Sequence, residues 1–235
     1  MDFAEFDHEI SKVLDYLREL LDAGAGFGTI EIFGQLADSS TDIKIITERI
    51  DKELVLHSDF IKKFLARMSK ELEPVSNEME KMVRNSDFLR LDVKSFFIFT
   101  RIFYDTICRF IRLTYGDMGI QLPRSMNRLL TRKSVRARAI EMDKDFFSGF
   151  FEVMSGFHEI RDKRDEIVHS LGSMRSTTAK NGTWGFDIIG LRDKGRSWGT
   201  NTVQSISGYI EETIKSLTEA LRFISKKRLC RARAR

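Results

Sequence analysis

With 235 residues, 42% of them hydrophobic and 31% charged, the chain has the makings of a full apolar core and is too apolar for a disordered protein. Two prolines favour long uninterrupted helices, and two distant cysteines, Cys108 and Cys230, supply neither a disulfide framework nor a metal site. The net charge of +4 is unevenly placed, since without the six cations at the C-terminus (Lys226, Lys227, Arg228, Arg231, Arg233 and Arg235) it would be −2.

In chain order, the first amphipathic segment runs from Asp2 to Leu21, with Phe3, Phe6, Ile10, Val13, Leu14, Leu17 and Leu21 on one side. Its start is acidic and lacks the basic stretch and apolar run of a signal peptide, and the two distant cysteines make a reducing cytoplasm the expected setting. Gly24-Ala25-Gly26-Phe27-Gly28 has a phosphate-loop look but follows a helix rather than a strand, and reads as a linker or helix stop. Thr29 to Gln35 reads as a short strand or turn. Helices are predicted from Asp42 to Leu54, out of the Ser40/Thr41 cap region, and from Phe60 to Met68. Glu71 to Val83 is a polar helix or a hinge around Pro74.

The longest predicted helix spans Leu89 to Tyr115 and carries Phe96, Phe97, Phe99, Ile102, Phe103, Ile107, Phe110 and Ile111. That density of aromatic and branched side chains marks a buried central element. Phe96-Phe97-Ile98-Phe99 is the densest apolar run and stops at Thr100-Arg101, far short of a membrane span. Gly116, Gly119 and Pro123 end this helix. A basic segment follows, in which Arg124, Arg128, Arg132, Lys133, Arg136 and Arg138 stand with no acid among them. Such a run attracts phosphate backbones through counterion release.

Asp145 to Ser170 reads as one amphipathic helix whose inward stripe changes character without changing period. The stripe begins as Phe146, Phe147, Phe150, Phe151, Met154, Phe157 and His158, and continues as Arg161, Arg164, Asp165, Val168 and His169. A charge in a core position costs several kcal/mol unless it is paired. Either the helix end leaves the core or these groups line a shared polar site, and Asp92 or Asp105 on the long helix would be partners for a cation there. Asp165 and His169, at i and i+4, are neighbours, so the carboxylate can fix the tautomer of the imidazole. His8 and His57 are scattered, without the spacing of zinc ligands, and His158 reads as a satisfied core or cleft residue. Beyond Leu171-Gly172, Thr183–Gly190 and Trp198–Ser205 read as a β-hairpin turning at 192–196, with Trp184 and Trp198 facing each other as packing residues. The last helix, Ile206 to Leu229, buries Ile210, Ile214, Leu217, Leu221 and Ile224.

The fold class expected from these elements is all-α, a helical bundle with a small β-hairpin before the C-terminal helix. The expected organisation is an N-terminal helical region over 1–85, a helical domain over 86–228 and a basic tail over 229–235.

Arginine, a polar residue and then histidine after a short gap, late in a long helix, resembles the motif of the HEPN superfamily, with Arg164, Asp165 and His169 in its positions. The resemblance in helix order covers roughly residues 86 to 228, and aspartate is the less usual occupant of the middle position. It implies a metal-independent endoribonuclease acting as a homodimer through the motif helix, often in a defence or toxin–antitoxin setting with an antitoxin or other partner protein. On that reading Arg164, His169 and Asp165 are the catalytic residues. Arg161, Arg128, Arg132 and Lys133 bind RNA, and neither a cofactor nor a membrane is involved. The rival expectation is a non-catalytic HEPN-like module that binds nucleic acid or protein.

Overall fold

A computed structural model of the chain describes residues 3–68, 76–115, 122–158, 161–162, 165, 174–178, 184–188 and 206–226. These are helical apart from short connections and one two-stranded ribbon.

Helix α1 (Ala4–Asp22) buries Phe6, Glu9, Ile10, Val13 and Leu17, the stripe that its periodicity predicts. It ends where Gly24 takes a positive φ of 86°. The Ala25 N–H returns to the Leu20 carbonyl and the Gly24 N–H to that of Leu21, which satisfies two otherwise orphaned helix-end acceptors. The glycine run is a helix stop for this reason.

Helix α2 (Phe27–Met68) is a single 42-residue element. It replaces the strand or turn expected at 29–35 and joins the two helices expected after it. The polar run Asp38-Ser39-Ser40-Thr41 does not cap a new helix. The hydroxyls of Ser40 and Thr41 donate to the Ala37 carbonyl at 2.8 and 2.9 Å, and that of Ser39 to the Gln35 carbonyl, so all three turn back onto the helix that carries them. Helix α3 (Ser76–Tyr115) is likewise longer than predicted, and the boundary expected near residue 85 falls inside it. Phe96, Phe97, Phe103, Ile107, Phe110 and Ile111 are buried on it, but Ile102 is exposed.

The basic segment forms two short helices, α4 (Met126–Thr131) and α5 (Lys133–Met142), joined at an extended Arg132. Asp105 of α3 accepts the Met126 N–H at 2.8 Å and so caps α4 from outside. Helix α6 (Lys144–Val153) starts from Asp143, whose carboxylate accepts the Phe146 N–H at 3.0 Å and the Tyr115 hydroxyl at 2.8 Å.

The single helix expected from 145 to 170 is interrupted by a 3-10 turn, Met154–Gly156. A 3-10 residue advances about 120° around the axis rather than 100°. The stripe extrapolated past Val153 therefore rotates: Met154 and Phe157 stay buried, whereas His158 is exposed instead of lying in the core.

Strands β1 (Met174–Thr178) and β2 (Trp184–Ile188) pair antiparallel, with Met174 opposite Ile188 and Thr178 opposite Trp184. The partner of the strand predicted near 183–190 therefore lies upstream of it. Trp184 does not face Trp198, and the segment 198–205 lies outside the described residues. The connection contains Asn181-Gly182, a stronger hairpin signal than the run at 192–196. Helix α7 (Ile206–Ile224) buries Ile210, Ile214, Leu217, Leu221 and Ile224 as predicted.

The chain divides into two compact units, each drawn from separate stretches. One comprises Met1–Ile43, Phe99–Arg161 and Glu212–Arg235, and the other Lys44–Ile98 and Asp162–Glu211. The first is built on an aromatic cluster. Phe146 stacks on Phe150 at 5.8 Å and meets Tyr115, Phe147 and Phe223 at 5.0 to 5.7 Å. Helices α6 and α7 approach closely at Gly149, where a Cβ would lie 2.8 Å from the Phe223 ring. In the second unit Arg49 of α2 pairs at 2.9 Å with the buried Asp92 of α3, and Phe97 meets Tyr209 at 6.1 Å.

Candidate nucleic-acid interface

The first unit presents a cationic face on α4 and α5. Met126, Leu129, Leu130 and Ala139 turn into the core. Anchored by them, Arg124, Arg128, Arg132, Lys133 and Arg136 are exposed, and Arg138 is exposed about 160° around α5 from Arg136. No acid occurs between Arg124 and Ile140, so nothing along the segment neutralises them. Helix α5 also opens without a side-chain cap and without an acid in its first turn, which holds Lys133. A helix N-terminus favours negative charge, so cations there work against the helix rather than for it.

Two contacts fix this face. The Arg136 guanidinium lies 4.7 Å over the Phe151 ring, which restrains a side chain that would otherwise be freely mobile. Arg161 donates from Nη1 to Asn127 Oδ1 at 2.8 Å. Arg161 is half-buried, so α4 holds it at the flank of the exposed cations. Asn127 was not singled out in the sequence; the only signal there is an amide set among cations.

Of the residues expected to bind RNA, Arg128, Arg132 and Lys133 are each exposed along α4, its junction and α5, and Arg161 is tied to α4 through Asn127. Of the expected catalytic residues, Asp165 is helical and half-buried in the second unit, while Arg164 and His169 lie outside the described residues. The acids considered as partners for the motif cations are bonded elsewhere. Asp92 holds Arg49, and Asp105 holds the Met126 N–H and lies 3.6 Å from Arg101.

Among the described residues, Cys108 and His57 are the buried cysteine and histidine. Cys108 is buried against the Pro123 carbonyl, with Sγ at 3.2 Å. Burial, with the charge of Asp105, pushes its thiol far above the usual range, so it is a poor nucleophile. Cys230 lies outside the described residues. His57 is buried, and the loss of water lowers its pKa and holds the imidazole neutral. Among the described residues no three His, Cys, Asp or Glu side chains are grouped to hold a metal ion, and no helix is long and apolar enough to cross a membrane.

No family model matches the chain, and neither a curated protein nor a solved structure is significantly similar to it.

Proposed function

We propose that the protein is an RNA-binding, HEPN-like endoribonuclease that works by general acid–base chemistry and acts as a homodimer. The observation that carries the reading is the exposed, acid-free cationic face of α4 and α5, which immediately precedes the segment bearing the Arg164, Asp165 and His169 pattern. Phosphodiester binding needs such a face, and cleavage needs a titratable group beside a fixed cation.

The chemistry follows from the residue types. The His169 imidazole takes the proton of a ribose 2′-OH, and the 2′-oxygen attacks the adjacent phosphorus. The bond from phosphorus to the 5′-oxygen breaks, and the leaving oxygen gains a proton from the imidazolium of the partner subunit's His169. The products are a 2′,3′-cyclic phosphate and a 5′-hydroxyl. Arg164 stabilises the charge that develops on the non-bridging oxygens, and Asp165 orients the imidazole. Because the 2′-OH is the nucleophile, DNA is bound but not cut.

A second reading, a non-catalytic module that binds RNA, draws on the same face, which does not depend on His169. The test is incubation of a mixed-sequence RNA with the wild type and with His169→Ala in EDTA, followed by end-group analysis. Cleavage by the wild type alone, leaving cyclic phosphate ends, supports the enzyme. No cleavage, or equal cleavage by both, ends the catalytic reading and leaves the binding one.

A further inference from the structure

From the chemistry of the α4–α5 face we infer that it docks double-stranded RNA through its phosphate backbone, without regard to sequence. The inference rests on RNA being the ligand, as proposed above, and not on cleavage.

Unpaired strands are held by stacking their bases on aromatic side chains, with cations along the backbone as a supplement. The segment from Leu122 to Asp145 contains no Phe, Tyr or Trp. Of the rings that touch it, Tyr115 is 1% exposed and Phe151 is 7% exposed beneath Arg136, so no base can reach either ring. What the face offers is charge alone. Its cations are Arg128 on α4, Lys133 and Arg136 on α5, Arg132 at their junction and Arg124 just before α4. Helix α5 by itself extends about 15 Å at 1.5 Å per residue, the axial length of several base-pair steps. Cations on a rigid frame suit a duplex, whose phosphates hold fixed positions while its bases are stacked away from contact. RNA duplexes are recognised in this way, by shape and backbone.

The helix also provides its own control. Lys133 and Arg136 lie on one side of α5, whereas Arg138 is turned about 160° from Arg136 at 100° per residue. Arg138 carries the same charge and is also exposed, but it is off the face.

The experiment is fluorescence anisotropy with the full chain silenced by His169→Ala, or by His169→Gln if the alanine variant fails to fold as judged by circular dichroism. The probes are a mixed-sequence RNA duplex of about 20 base pairs, chosen to span a site of several phosphates, a second duplex of unrelated sequence, and an unpaired strand of equal length. The duplexes are expected to bind alike and at least about tenfold tighter than the single strand, with a steep linear dependence on log salt. Arg128→Glu with Lys133→Glu should weaken duplex binding at least about tenfold and flatten the salt slope by about two. Arg138→Glu should change it less than about threefold, since a cation that contacts no phosphate adds little to binding. The inference is overturned if the single strand binds as tightly as the duplex, or if Arg138→Glu weakens binding as much as the double variant. Binding to anionic lipid vesicles but not to duplex would also overturn it. No outcome depends on cleavage, so a wild type that binds but does not cut would fail as an enzyme and leave the docking surface standing.

Discussion

Glu9 ties the first helix to the last, and its replacement tests how the larger aromatic unit is closed. The carboxylate is 4% exposed. It accepts the Ser225 hydroxyl at 2.9 Å and Lys12 Nζ at 3.0 Å, and Arg222 Nε stands 3.8 Å away. Arg222 also reaches Glu5. The side chains of Lys12 and Arg222 are 39% and 44% exposed, so each can turn to water and its loss costs little, on the order of 0–1 kcal/mol. The bond to the buried Ser225 hydroxyl is worth more, about 1.5–3 kcal/mol for a hydrogen bond to a charged group. Glu9→Gln keeps the shape and one acceptor, and should cost about 1–2 kcal/mol. Glu9→Ala also leaves a hole in the packing and should cost about 2–4 kcal/mol. Urea denaturation followed by circular dichroism at pH 7 measures both. Burial alone would push the Glu9 pKa up. The hydrogen bonds from Lys12 and Ser225 and the charges of Lys12 and His8 outweigh it, and the net shift is downward from 4.5. A carboxylate with a lowered folded pKa adds stability that is complete above the unfolded value and is lost as pH falls through the folded one. The gap between wild type and Glu9→Gln should therefore be widest near neutrality and close below pH 4.5. A Gln variant as stable as wild type at pH 7, or a gap that widens toward acid, would refute this account of the closure.

Asp92 shifts the other way, since burial raises its pKa and Arg49 only partly offsets that rise. Folding then favours the protonated form, so this group contributes stability at acid pH that is lost as pH rises through the ordinary carboxylate range toward the folded value. Arg49→Ala strands a buried carboxylate and should cost about 1–3 kcal/mol at pH 7, shrinking as Asp92 protonates; a loss equally large at pH 3.5 would contradict it. Gly149→Val places a Cβ 2.8 Å from the Phe223 ring, and overpacking of this kind should cost about 1–3 kcal/mol in a thermal melt. Unchanged melting would show that the α6 and α7 contact is loose. If the proposed dimer forms, light scattering during gel filtration should give about twice the chain mass of 27.3 kDa, and a single-chain mass across micromolar concentrations would remove it.

The parts of this fold legible in the sequence are those where one mechanism decides the outcome. In α1 and α7 a single apolar stripe meets a single core, and Phe6, Ile10, Val13 and Leu17, like Ile210 to Ile224, are buried where periodicity puts them. The errors arise where a residue has two uses of similar energy. Ser40 and Thr41 cap a helix when the backbone breaks before them and bond back onto it when it does not, and their spacing is the same in both cases. The choice is made by tertiary packing of Ile32, Leu36, Ile43 and Ile50, which favours one unbroken helix and is not a local property.

The candidate site divides along the same line. The cationic face was visible as a run of like charges, because like charges without acids have few other places to go than water. What the run concealed was the means by which it is held. Asn127 accepts from Arg161, far along the chain, and the Phe151 ring of α6 lies under Arg136 of α5, and no period connects either to the arginine it meets. The misplacement of His158 has a still smaller origin. Three residues of 3-10 helix at Met154–Gly156 rotate His158 by about 60° from its extrapolated place, enough to turn a residue from core to solvent. A stripe extrapolated through the Ser155-Gly156 pair holds only where the helix is uniform, so Phe146 to Phe151, which precede the turn, are buried as periodicity puts them and His158, which follows it, is not.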